Sequence, residues 1–508
     1  MVNINEQAVQ QMVDDVLKHI ATGWAGRQMP TPGPGAPPPI ARTATQSSGY
    51  LPMRVAFGAA PAIPQAAGRF GQFSDVKEAV EAAKTAQRAL VARSMAQRKL
   101  IIETIRAICV EKADQLGRME YDETRIGHPA DKPSKLIAVG QNPMGIEMLT
   151  PPAFSGDNGI TLEERGPWGV IGVITPVTHS LPTLADNACN MIAGGNSLVV
   201  NPHPGGKKIA AYGAKLFNEA IYGAVGIDNL ICVITEPTLD TAQAIFTHPD
   251  VGLLGITGGP GVVAAALKSG KRAICAGPGN PPVVVDESAD LDNAVRCIIE
   301  GAAYDNNLLC LAEKEVFVVA AVFDAFMDAM ARAGAVRLTP QQMDALARVA
   351  IEPGKNGGHP YANRKFVGVE PEVLAREVGL SVPASCRLLF GETGPQHDFV
   401  MAEQMMPVLP IVSCRTFEEC VDCAKTAEHS FRHTAVIHSR LVDHMTYMGK
   451  AMDTTLYVKN GPSMAGNGAG GEGYGGYSIA CATGEGICTP RTYTRLRRCA
   501  MIDNLRIV

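Results

Sequence analysis

Apolar residues recur three and four apart near the start of the chain, at Val9, Met12, Val13, Val16, Leu17 and Ile20. Glu6, Gln10, Gln11, Asp14, Asp15 and Lys18 fill the opposite side. That period predicts an amphipathic helix over 1–22, with Asn5 as N-cap and Thr22-Gly23 at its end. The pattern then lapses. Pro, Gly and Ala dominate from Met29 to Pro39, and low-charge sequence of the same kind continues, so 23–72 reads as an extended linker. So short a helix is marginal alone in water. It is expected to order against something: as a targeting or assembly peptide, or by docking on its own body or another subunit.

From Ser74 the pattern is helical, and Ser94-Met95-Ala96-Gln97 reads as a capping box ahead of a helix from Arg98 to Asp114. Beyond 165 the period changes. Short apolar runs at 170–174, 197–200, 230–234 and 251–256 alternate with helical stretches at 184–193, 206–222, 239–246 and 261–268. That alternation predicts an α/β fold with a parallel sheet. A second set of runs, at 283–285, 315–319 and 434–438, predicts a second α/β domain starting near 281. The Gly-rich segment 459–490 reads as loop.

Composition narrows the function classes. A length of 508 residues calls for two or three domains, and 46% hydrophobic with 19% charged residues is a globular balance. A net charge of −5, without a long basic run, argues against a nucleic-acid partner. No apolar stretch reaches the roughly 18 residues of a membrane span. The first residues lack a secretory pattern, so the thirteen cysteines are expected as reduced thiols in a cytoplasmic compartment.

One thiol stands out. Cys310 follows Asp305-Asn306-Asn307-Leu308-Leu309, downstream of the turn Ala276-Gly277-Pro278-Gly279-Asn280. The polar residues before it and Ala312-Glu313 after it suggest a turn entering a helix, whose dipole would stabilise a thiolate. Thr257-Gly258-Gly259-Pro260-Gly261 lies between a predicted strand and helix, where backbone N–H groups can approach a pyrophosphate; a structural turn would look similar. Cys420 and Cys423 form a C-x-x-C pair on a predicted helix, with no second pair at zinc spacing, and no metal is expected. His429-Ser430-Phe431-Arg432-His433 reads as a surface loop.

In order along the chain, the phrases TPVTHSLPT, LVVNPHPGGKK, GITGGPGVV, AGPGNPPVVVD, DNNLLCLAEKEV, EQMMPVLPIV and RHTAVIHS resemble the aldehyde dehydrogenase superfamily. Within it they are most similar to the CoA-acylating branch, the propionaldehyde dehydrogenases of propanediol utilisation and their acetaldehyde relatives. The resemblance implies a Rossmann-like NAD-binding domain (73–280, with 149–165 joining an oligomerisation flap), a catalytic α/β domain (281–458) and a C-terminal loop and oligomerisation segment (459–508). It implies Cys310 as nucleophile, Thr175 and Pro176 beside the nicotinamide, and Asn201, Pro202, His203 and Pro204 around the adenosine ribose. It places Thr257, Gly258, Gly259 and Val262 at the pyrophosphate, Ala276 and Gly277 in the cofactor cleft, and Glu403 on the nicotinamide ribose. NAD would be the cofactor and coenzyme A a co-substrate, with a dimer or tetramer as the assembly. The segment 1–22 resembles encapsulation peptides that bind a microcompartment shell protein or core enzymes, which would place the chain in the lumen of a bacterial microcompartment.

Two departures inform the chemistry. Hydrolytic members carry a glutamate where this chain has Ala276, so without that base CoA rather than water is expected to take the acyl group. His179 stands where the superfamily has an oxyanion-binding asparagine; either His179 or Thr178 is the expected donor. Pro204, with Lys207 and Lys208 following, stands where NAD-preferring members carry an acid, which would suit a phosphorylated adenosine. The alternatives are a hydrolytic aldehyde dehydrogenase, an acetaldehyde-preferring enzyme, or a non-catalytic shell-bound protein.

Overall fold

The computed structural model describes residues 69–354 and 358–507. The predicted helix over 1–22 and nearly all of the linker lie outside them. The linker was expected to reach residue 72, but the body already begins at Arg69. The Phe70 amide donates to Asp228 at 3.2 Å and that of Gly71 to Asn229 at 2.7 Å. Gln72–Phe73 then joins a sheet beside Val233 and Ile234.

The Ser94–Gln97 capping box forms as read, opening the helix Met95–Glu111. That helix ends before Asp114. Lys112 leaves helical geometry at φ −110°, and Asp114 falls in the first turn of Ala113–Thr124, where its charge suits the N-terminal dipole.

The first sheet is all parallel. Its order is Gln72–Phe73, Ile231–Ile234, Ser197–Pro202, Val170–Thr175, Val251–Thr257, Ala273–Ala276. Helices cover both faces, which is why the strands read as continuous apolar runs. Ile171 and Val173 pack with Leu181, Leu184 and Phe217, whereas Val170 and Ile174 pack with Val80, Ile245 and Phe246. Between them Gly172 has no room for a side chain: a Cβ there would lie 2.4 Å from Ile245. Each fully buried Leu or Ile of this kind contributes about 1.5–3 kcal/mol.

The second sheet is also parallel. Its order is Val336–Leu338, Leu389–Glu392, Val408–Cys414, Glu315–Val319, Pro282–Val285, Thr434–His438, Leu456–Lys459. The three strands expected from sequence lie next to one another within it. The fold class is therefore α/β, with two doubly covered parallel sheets. A third, antiparallel sheet joins Ala153–Gly156 and Gly159–Pro167 to the distant Thr494–Ile502, in continuous register from Thr494–Pro167 to Ile502–Gly159.

Candidate active site

The loop carrying Cys310 departs from helical expectation. The helix Leu291–Ala303 gives way to Tyr304–Asn307, in which Asp305, Asn306 and Asn307 have φ of 46°, 54° and 64°. Three consecutive left-handed residues are costly for most side chains, and Asp and Asn tolerate this region best. Cys310 then sits in an irregular turn before the strand Glu315–Val319, with no helix following it. The expected helix dipole is absent, because the left-handed run turns the chain into a strand instead.

Buried side chains hold this loop in place. Asn307 Nδ2 donates to the carbonyls of Ala302 and Glu313, both at 2.9 Å, and Asn306 Nδ2 to that of Gly368 at 3.2 Å. Lys314 Nζ, fully buried, donates to Asn307 O at 2.8 Å, Asn307 Oδ1 at 2.5 Å and Leu309 O at 3.0 Å. Asp305 Oδ2 is bridged by Lys132 at 3.2 Å and by Lys135. None of these lysines was read from the sequence as part of the site. The one available signal was Glu313-Lys314-Glu315, three ionisable groups opening a buried strand.

Cys310 and His179 line one cavity of about 70 Å³, with Tyr304, Leu309, Met464 and Ile479 among its apolar walls. His179 is buried immediately ahead of the helix Ser180–Ala193. Its Nε2 lies 3.1 Å from Thr178 Oγ1 and its Nδ1 3.5 Å from Lys135 Nζ.

Burial pushes the Cys310 thiol up to about 12, and the Glu403 carboxylate adds to the effect while Lys314 opposes it. Burial also raises Glu403 to about 7 and lowers Lys314 to about 8. Glu403 Oε1 accepts from the Gly279 amide at 3.4 Å. A Cβ on Gly279 would fall 2.4 Å from Cys310 O and 2.9 Å from the His433 ring, so glycine is required at this crossing. His433 is thus buried beside the nucleophile loop rather than on a surface loop, and burial lowers it to about 4. His429, in the same segment, is half-buried and stacks on His359 at 3.6 Å.

The residues expected to hold the cofactor converge at the carboxyl ends of neighbouring strands in the first sheet. Thr175 lies beside Pro202, and Thr257 beside Ala276. Pro176 and Gly277 follow directly in the chain. This edge is where nucleotides bind open parallel sheets. Thr175 Oγ1 is buried and has no partner among the described residues. Gly259 is the N-cap of the helix Pro260–Lys268, with open space where side chains at Gly259 and Gly261 would be. Gly258 donates to Ala276 O at 3.2 Å and packs against Val262. These features fit a dinucleotide.

Asn201 is a different case. Its Oδ1 accepts from Thr241 Oγ1 at 2.6 Å and its Nδ2 donates to Thr238 O at 3.3 Å, so the side chain braces the start of the helix Leu239–Thr247. His203 Nδ1 accepts from the Gly205 amide at 3.0 Å, while Pro204 and Lys208 are exposed. Lys207 pairs with Glu236, which reduces the positive charge expected there.

Cys420 and Cys423 lie on the helix Phe417–Ala427. Among the described residues, Asp286, Glu287 and His444 are close enough to share a cation, but Ser288, Ser439 and His444 already occupy the Asp286 oxygens.

Comparison with known proteins agrees with this geometry. A family model described as "Aldehyde dehydrogenase family" matches residues 65–344. The acetaldehyde dehydrogenase (acetylating) EutE of Salmonella typhimurium is 44% identical over 439 residues, covering 86% of this chain and 94% of that protein. A propionaldehyde dehydrogenase from the Clostridium phytofermentans fucose utilisation bacterial microcompartment is similar in structure, with a TM-score of 0.84 and 43% identity over 86% of this chain and 100% of that one. The Rhodopseudomonas palustris propionaldehyde dehydrogenase, solved with bound CoA and an acylated cysteine, gives a TM-score of 0.83 and 40% identity over 86% of this chain and 100% of that one.

Proposed function

The chain belongs to the aldehyde dehydrogenase family, and on that premise we propose that it oxidises a short aliphatic aldehyde, propionaldehyde or acetaldehyde, and passes the acyl group to coenzyme A. The observation that carries this reading is Cys310, on a turn pinned by Lys314 at the edge of a small apolar cavity that His179 also lines. The Cys310 sulfur adds to the aldehyde carbon and gives a thiohemiacetal. The forming oxyanion takes hydrogen bonds from the Cys310 amide and from His179 or Thr178. NAD, when bound, supplies the hydride acceptor, and the acyl group is left as a thioester on Cys310. The thiol of coenzyme A then attacks that thioester and frees the Cys310 sulfur. The sum is aldehyde, NAD⁺ and CoA giving acyl-CoA, NADH and a proton. Thioester replaces thioester, so the reverse reduction is also accessible.

The roles within the chain follow from the same premise. Thr175, Pro176, Thr257, Gly258, Gly259, Val262, Ala276 and Gly277 hold the nicotinamide nucleotide, with Glu403 on its ribose. Pro202 and His203 bound the adenosine side, where Asn201 acts through Thr238 and Thr241. The same cleft takes the CoA adenosine after NADH leaves. Residues 69–280 form the nucleotide domain and 281–458 the nucleophile domain. Segments 149–165 and 459–508 mediate a dimer or tetramer. Residues 1–22 tether the enzyme to a microcompartment shell protein or core enzyme. Among the described residues no helix is long and apolar enough to cross a membrane, and a cytoplasmic microcompartment lumen is the proposed location.

Peptide mass spectrometry tests this reading. Aldehyde and NAD without CoA should leave an acyl mass on the Cys310 peptide, and added CoA should remove it. An unmodified Cys310 under turnover conditions would overturn the assignment.

A further inference from the structure

The Lys135 ammonium is fully buried and has three acceptors around it. It donates to Asp305 Oδ2, to the Thr178 carbonyl at 3.2 Å, and faces His179 Nδ1 at 3.5 Å. An ammonium has three hydrogens and no lone pair. The third contact is therefore satisfied only if His179 Nδ1 carries its lone pair, which puts the ring hydrogen on Nε2.

The surroundings hold that arrangement. Asp305 Oδ1 accepts from the His128 amide at 2.9 Å, and Lys132 shares Oδ2, so the carboxylate is fixed from both sides. Tyr477 donates its hydroxyl to the Lys135 carbonyl at 3.1 Å, and its ring lies 5.8 Å from the His179 ring. Glu120, also buried, accepts from the Ser180 amide at 2.9 Å, immediately after His179. The charged groups acting on His179 are thus Lys135 and Lys132 from one helix and Lys314 from the nucleophile loop, with burial as the largest influence. All of these disfavour the imidazolium, while a hydrogen bond to the Thr178 backbone works the other way.

We propose that Lys135 is a positioning residue that fixes His179 as the Nε2–H tautomer, so that His179 serves the site as a neutral hydrogen-bond donor. In the structure as it stands His179 Nε2 lies 3.1 Å from Thr178 Oγ1, which would accept its hydrogen. A hydroxyl can rotate away, which leaves the N–H available to an oxyanion formed at Cys310. His179 then neither takes the thiol proton nor titrates during turnover. This role rests on the aldehyde-oxidising reading for its purpose, but the tautomer itself does not.

Two measurements test it. Ring ¹⁵N spectra of histidine-labelled protein, with His179 assigned from the His179→Asn variant, should show a single Nε2–H form unchanged between about pH 5.5 and 8.5. An Nδ1–H form, or an imidazolium appearing in that range, would overturn the proposal without any change to the lysine. The second is a double-mutant cycle on CoA-dependent NADH formation. Lys135→Met should lower kcat roughly tenfold or more with little change in aldehyde KM, as expected for a misaligned oxyanion donor. It should also shift the acid limb of kcat to higher pH than in wild type, because one of the charges that hold His179 neutral is removed while burial remains. In the His179→Asn background, whose amide N–H needs no tautomer, Lys135→Met should cost less than about twofold. An equal loss in both backgrounds would show that Lys135 acts elsewhere. If wild type forms no NADH with aldehyde and CoA, the functional reading fails, while the ring spectrum still decides the tautomer.

Discussion

Lys314 Nζ donates to the Leu309 carbonyl at 3.0 Å, one residue before Cys310. The same ammonium holds Asn307 through its carbonyl and its side-chain oxygen. One buried cation therefore both shapes the nucleophile turn and opposes the burial that raises the Cys310 thiol. Lys314→Met should raise that thiol further. Iodoacetamide labelling of Cys310 at a fixed pH near 7, where Lys314 still carries its charge, should slow several-fold, since only the thiolate reacts. Unchanged labelling in a folded variant would show that Lys314 acts only as a brace.

Glu403 acts in the opposite sense. Its carboxylate, raised to about 7, adds to the elevation of the Cys310 thiol once ionised. Glu403→Gln keeps a carbonyl for the Gly279 amide and removes the charge. Labelling of Cys310 at pH 8.5 should become several-fold faster. Slower labelling would instead identify Glu403 as the group that takes the thiol proton.

Glu313 links this region to stability. Its oxygens accept from the Ser463 amide at 2.7 Å and hydroxyl at 2.8 Å, and burial raises the carboxyl from 4.5 to about 7. The unfolded chain therefore releases this proton first. Folded stability falls as pH climbs from about 4.5 through 7, by on the order of 3 kcal/mol for this group. Glutamine can serve both partners without ionising. The thermal midpoint of Glu313→Gln relative to wild type should rise between pH 5 and 8.5; a difference independent of pH would contradict the assignment.

The central strands were legible because helices bury both their faces, so residues 170–174 of Val170–Thr175 and 316–319 of Glu315–Val319 read as apolar runs. Other strands gave no such signal. Gln72–Phe73 is only two residues long, Val408–Cys414 is interrupted by Pro410, and Thr494–Ile502 carries Arg495, Arg497 and Arg498 on an exposed strand. Cys310 was legible through the order of its surrounding phrases. The helix expected after it was not found, because Asp305, Asn306 and Asn307 read as polar helix-entry residues but occupy left-handed backbone. Lys135 and His433 lie 175 and 123 residues from Cys310 and reach it only through the fold.

The central claim is that the acyl group on Cys310 leaves to coenzyme A and not to water, with Ala276 at the strand end where a water-activating carboxylate would be needed. The direct measurement is NADH formation from propionaldehyde and NAD, with and without CoA. Without CoA the account predicts a burst of about one NADH per site followed by a stall, and with CoA a sustained rate. A sustained rate without CoA, releasing the free carboxylate, would contradict it.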